Sequence, residues 1–145
     1  MKGQITEISK GKNYTAMDVG AFADLLNYTE SKGKVFIKDS INSTGTEISF
    51  QLLPAGTELP FFHSHKQNEE IYIVLKGKGQ MQIDGTAFHL TEGSVVRVAP
   101  EGNRSLKSAA DSEMVYMVIQ AKEKSLEQCT ATDGVLTQDE AKWLK

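Results

Sequence analysis

Short stretches of alternating or continuous apolar residues, each closed by turn residues, recur along most of the chain. That is the pattern of a β-sandwich or barrel. Residues 34–38 read as a strand after Gly33. Residues 47–53 alternate polar and apolar and stop at Pro54-Ala55-Gly56. Residues 71–75 are rich in β-branched and aromatic side chains and are bounded by Gly77 and Gly79. Residues 80–83 and 86–90 flank Asp84-Gly85, a dipeptide favoured in two-residue hairpin turns. Thr91-Glu92-Gly93 and Pro100-Glu101-Gly102 turn the chain again, and residues 94–98, 105–107 and 114–119 complete the β region. Helical spacing is confined to the ends. Asp18 is placed to cap a short helix carrying Phe22, Leu25 and Leu26. Thr137 and Glu140 form a capping box for a terminal helix over 137–144, anchored by Trp143 and Leu144. The expected class is all-β, a barrel or jelly roll with short terminal helices.

With 145 residues, 39% hydrophobic and 24% charged, the chain fits one globular domain. A formal charge of -3 with no basic block gives no electrostatic reason to bind nucleic acid or an anionic membrane. No apolar run approaches the roughly 18–20 residues of a membrane span. The opening residues, Met1 to Glu7, lack the apolar stretch of a secretory signal, so the cytoplasm is the expected location. The lone Cys129 excludes an internal disulfide framework and any CxxC site. There is no P-loop, no GxSxG elbow and no GxGxxG after a strand.

The chemistry concentrates in one place. Two of the three histidines form His63-Ser64-His65. On an extended segment that spacing directs both imidazoles to one side, a donor pair suited to a borderline transition metal. Glu69 and Glu70 follow at the start of the next strand. Glu70 shares its face with Tyr72 and Val74, whereas Glu69 shares the wholly apolar face of Ile71, Ile73 and Leu75. The more polar face therefore favours Glu70 as a third donor, with Glu69 the alternative. Two histidines and a carboxylate are the donor set of many non-haem metal sites that keep coordination positions open. His89, after the hairpin, has no partner in sequence. Met81, Met114 and Met117 read as core packing.

Gly56, His63-Ser64-His65, Glu70 and Gly77 together resemble the first motif of the cupin superfamily, in which a glycine precedes HxH, four residues lead to a glutamate and six more to a glycine. Gly93, Pro100 and Gly102 resemble the second motif in order and spacing. The resemblance covers about residues 45–120 and points to a small, single-domain cupin of the cupin 2 type. It implies a double-stranded β-helix, with a core barrel at about 34–121, an N-terminal arm over 1–33 and a C-terminal tail over 122–145. It also implies a metal held by His63, His65 and Glu70. By count, the position of the last ligating histidine falls on Ser105. Two functional expectations follow. One is a protein that binds a divalent transition metal (iron, manganese, nickel or zinc) and a small molecule, in the manner of cupin dioxygenases, isomerases or lyases. The other is a non-catalytic sugar- or metabolite-binding module without metal. Arg97, Gln51 and Tyr72 are candidates to line the ligand pocket, Arg97 for its forked donors and the others by strand parity. Asn103 and Arg104 read as solvated turn residues, and Gln67 as a solvent-facing one. Apolar residues on both faces of 71–75 suggest one face in the barrel and one against a second copy, so a homodimer is expected.

Overall fold

The computed structural model describes residues 2–145. Its regular elements are β1 (Thr6–Gly11), β2 (Tyr14–Asp18), 3-10 turns at Phe22–Asn27 and Thr29–Ser31, β3 (Lys34–Phe36), α1 (Lys38–Ile41), β4 (Glu47–Leu53), β5 (Asn68–Ile83), β6 (Thr86–Thr91), β7 (Val95–Val98), β8 (Arg104–Ser108) and β9 (Met114–Lys122). All pairings are antiparallel. One sheet runs β3-β4-β9-β5, with β7 on the far side of β5; the other sets β6 and β8 on either side of β5. The fold is a double-stranded β-helix. No helix among the described residues is long and apolar enough to cross a membrane.

β5 belongs to both sheets. Its first half pairs with β7 and β9 and its second half with β6 and β8. The register slips between Val74 and Lys76, and the strand passes from one sheet to the other through Gly77. Gly77 and Gly79 read in sequence as the end of one strand and the approach to another; they are instead interior positions of a single 16-residue strand.

Parity explains the core. In β5, Glu70, Tyr72 and Val74 are buried while Ile71, Ile73 and Leu75 are half-buried. Tyr72 and Val74 join Leu53, Met81, Leu106, Met114, Tyr116 and Val118 inside the barrel. A second cluster, Leu25, Val35, Leu52 and Val115, lies where the N-terminal arm covers the outer face of β3, β4 and β9. Asp84 and Gly85 both have positive φ, at 49° and 84°, the backbone of the two-residue turn their sequence favours.

Two local expectations need correction, and one element went unread. The helix expected after Asp18 is a 3-10 turn, and Asp18 caps nothing: its Oδ1 accepts from the Gly20 amide in a local turn. The helix expected over 137–144 is absent, and Trp143 and Leu144 are exposed. Eight residues with no surface to pack against fall short of the roughly 12–15 that an isolated helix needs. The hairpin β1–β2 was not legible, because its strands carry few apolar residues and β1 is exposed throughout.

Candidate metal centre

His63 and His65 lie on an extended segment before β5. His63 exchanges two backbone hydrogen bonds with Arg104 of β8, at 3.1 and 3.0 Å. The His65 amide donates to the carbonyl of Pro100, at 2.8 Å. The PxG turn thus anchors the HxH segment, and Glu70 is delivered to the same point by the inward parity of β5. The two imidazole rings stand perpendicular with centroids 5.1 Å apart.

The ligand atoms of His63, His65 and Glu70 all fall within 4.8 Å of one another. Glu70 Oε1 is 3.4 Å from His63 Nε2 and 3.1 Å from His65 Nε2. Donors about 2.0–2.1 Å from a common ion sit about 3.0 Å apart at octahedral right angles and about 3.4 Å apart at tetrahedral angles. The two distances to Glu70 therefore fall in the range expected for donors on a common ion. His65 Nε2 is buried and makes no hydrogen bond, its approach to Glu70 being poorly aligned. A buried ring nitrogen without a hydrogen-bond partner has a free lone pair to offer a metal ion. By both measures these residues fit a divalent transition metal.

Glu69 is not part of this group. It points outward and accepts from Arg97 Nε at 3.0 Å, while Arg97 also donates to Glu123 at 3.1 Å. Arg97 is therefore placed on the outer surface, away from the cavity, because its register partner is the outward Ile71 and it is Val98 that sits opposite Glu70.

The fourth inward side chain is Arg104, read in sequence as a solvated turn residue. It is fully buried. One terminal nitrogen meets Glu70 Oε1, the other donates to the Gly102 carbonyl at 2.8 Å, and Nε donates to the Tyr72 hydroxyl at 3.3 Å. Tyr72 in turn donates to Glu70 Oε1 at 2.9 Å. Ser105, the position reached by counting, faces the other way. It pairs with Gln82 and lines a separate cavity of about 130 Å³, where its hydroxyl is buried without a partner. Parity carried the missing signal: Leu106 belongs to the core, so Arg104, two residues earlier, faces inward with it.

Burial pushes the Glu70 carboxyl up, but contacts from His63, Arg104 and Tyr72 outweigh it and hold the group at about 2. Glu70 is an anion at neutral pH. Burial and the Glu70 charge push the Tyr72 hydroxyl well above its usual range, so it stays protonated and donating.

Above the three residues opens a cavity of about 820 Å³. Gln51 and Tyr72 line it, as do Lys34, Tyr116 and Leu106. Phe36 and Phe61 line it too and are about half exposed, which puts them at its rim. Gln67 is exposed and lies outside it.

Comparison with known proteins agrees with this architecture. The Cupin_2 family model, described as a cupin domain, matches residues 49–120. The crystal structure of a cupin protein from Bacteroides fragilis is 44% identical, covers 88% of this chain and all of its own, and superposes with a TM-score of 0.78. A cupin-like protein from Thermotoga maritima is 26% identical over 62% of this chain and 68% of its own, with a TM-score of 0.55. An uncharacterised protein of Methanocaldococcus jannaschii is 29% identical over 96 residues, 66% of this chain and 68% of that protein. The family match over β4 to β9, the close superposition on a cupin and the inward HxH and glutamate place this chain in the cupin superfamily.

Proposed function

We propose that the chain binds a divalent transition metal through His63, His65 and Glu70 and acts on a small molecule held in the adjoining cavity. The observation that carries this reading is the convergence of three ligand atoms at the cavity wall, with His65 Nε2 buried and unpartnered. Iron, manganese, nickel and zinc suit this donor set, and such an ion supplies Lewis acidity and open coordination positions for a substrate oxygen. The chain's own residues prepare the rest. Arg104 and Tyr72 keep Glu70 ionised and fix its orientation. The Pro100 carbonyl holds the backbone of His65 in place. Tyr72 presents a protonated phenol beside the site and Gln51 an amide to the cavity, groups that orient a polar ligand. Isomerase, lyase and dioxygenase chemistry all use such a centre, and the fold hosts many reactions.

A second reading, a metal-free binding module for a sugar or another metabolite, is favoured by one observation: Arg104 already neutralises Glu70, so the buried carboxylate has its counter-charge without an ion. Elemental analysis of tag-free protein beside His63→Ala/His65→Ala separates the two. The metal reading expects about one transition-metal ion per chain in the wild type and loss of it in the double variant. Absence of metal from both, after reloading with iron, manganese, nickel and zinc, overturns it in favour of the binding module.

We further propose a homodimer through the outer face of β5, β7 and β9, where Ile71, Ile73, Met117 and Ile119 are only half-buried and Val95 is 66% exposed. Light scattering of the purified protein should give twice the 16.0 kDa chain mass. A monomeric mass at micromolar concentration would rule the dimer out.

A further inference from the structure

The cavity holds a cation that the metal group does not use. Lys34 opens β3 directly across from Gln51 of β4. The parity that buries Val35 in the outer cluster turns Lys34 and Phe36 toward the cavity. The Lys34 ammonium lies 4.9 Å from the centre of the Phe36 ring. Among the described residues the Lys34 ammonium makes no ion pair or hydrogen bond, and where other lysines also make none they are exposed, whereas Lys34 is half-buried. Burial lowers its pKa, and only the more distant charges of Glu70 and Glu47 oppose that.

Its neighbour is a donor as well. The Tyr116 hydroxyl donates to Gln51 Oε1, which leaves the Gln51 amide nitrogen free to donate into the cavity. Cross-strand partners have β-carbons about 5 Å apart. An ammonium and an amide N–H thus face the same cavity from paired strand positions, with no acceptor assigned to either. The charge balance points the same way. Glu70 is in contact with Arg104, and Lys34 has no ion-pair partner of its own in the wall. Lys32 and Glu58 also line the cavity, but both are exposed, opposite in sign and open to screening by salt.

We infer that Lys34 and Gln51 form a carboxylate subsite, and that the small molecule this cavity takes is an organic acid whose apolar part packs on Leu53, Leu59 and Phe61. The inference rests on the cavity being the ligand site, as proposed above, and not on the metal. A competing role exists for Lys34: β3 is the edge of its sheet, and inward-facing lysines blunt sheet edges against pairing.

The test is calorimetric titration at low salt with butyrate, hexanoate and 3-phenylpropionate, each beside its neutral amide, on metal-stripped and metal-loaded full-length protein. The acids should bind at least roughly tenfold more tightly than their amides, a ratio that reads the charge alone. Lys34→Met should lose that preference while keeping the amide affinities, Lys34→Arg should keep it, and thermal unfolding should show both variants folded. Equal binding of acid and amide, binding of neither, or a preference that survives in Lys34→Met overturns the subsite. If Lys34→Met self-associates in size-exclusion chromatography yet binds the acids as the wild type does, the lysine is an edge guard and the inference fails. A preference retained in protein that takes up no metal would leave the subsite standing and remove the metal reading. Metal uptake without a preference would do the reverse.

Discussion

Arg104→Met is expected to lower the free energy of unfolding by about 3–5 kcal/mol, the usual loss when one partner of a buried ion pair is removed and the other stays charged. Arg104 is fully buried and Glu70 is 6% exposed, so water cannot replace the guanidinium. Methionine fills similar space but leaves the Tyr72 hydroxyl as the hydrogen-bond donor to Glu70 Oε1, with the imidazoles nearby. Arg104→Lys should recover only part of the loss, because one ammonium cannot reach Glu70, Tyr72 and the Gly102 carbonyl with the fixed fork of a guanidinium. Removing both charges, in Arg104→Met/Glu70→Leu, should return most of the stability, since an apolar replacement of a buried pair is often neutral or better. Urea unfolding of these variants and the wild type, with Glu70→Leu alone as the second single variant, closes the cycle. A single-variant loss under about 1 kcal/mol would show that Glu70 finds another counter-charge or water.

The same variant probes the metal reading. An ion bound at Glu70 would supply the counter-charge that Arg104→Met lacks. Saturating metal should therefore narrow the gap between variant and wild type, and the variant should bind metal at least as tightly. A gap that is the same with and without metal means that the ion does not use Glu70. Acid provides an independent check. The Glu70 carboxyl is held at about 2 against an ordinary 4.5. A depressed acid contributes stability above its ordinary value and loses it as pH falls toward the folded one. Wild-type stability should thus decline between pH 4.5 and 2, and that decline should flatten in Arg104→Met, whose carboxyl lies closer to its unfolded value.

The parts of this protein legible in its sequence are those governed by a two-residue period. Alternation over 47–53, the positive-φ pair Asp84-Gly85 and the common side of His63 and His65 all follow from it, and parity chose Glu70 over Glu69. What failed was reasoning that set parity aside. Counting along the second motif reached Ser105, while alternation back from the core residue Leu106 would have reached Arg104. Arg97 was assigned by chemical type, but its facing is set by register against Ile71, a long-range pairing no local pattern encodes. Lys34 was read only as a strand residue. Its meaning comes from Gln51, its partner across the sheet, 17 positions on. The terminal helix had a correct local signal and no surface on which to express it.

Gly77→Ala should be the most damaging single-carbon change in the barrel. Gly77 has φ of +80°, a conformation that costs a residue with a side chain about 1–3 kcal/mol. Its added β-carbon would also stand 1.8 Å from the carbonyl oxygen of Glu113 and 3.2 Å from the α-carbon of Met114. Both obstacles are backbone of the turn and strand that pair with β5, so no side chain can swing aside to make room. A loss above about 4 kcal/mol is expected, a large share of the ordinary stability of about 5–15 kcal/mol. Gly93→Ala is the control. Its φ is +89° but nothing lies within 4 Å, so it should lose only the conformational part, about 1–3 kcal/mol. The difference between the two variants in thermal or urea unfolding reads the steric contribution alone. Equal losses would mean that β5 can shift away from β9 at its crossing point. That shift would be felt at the site, because β5 carries Glu70 before Gly77 and pairs with Arg104 through Ile83 after it. The geometry that places carboxylate against guanidinium runs through a position where only hydrogen fits.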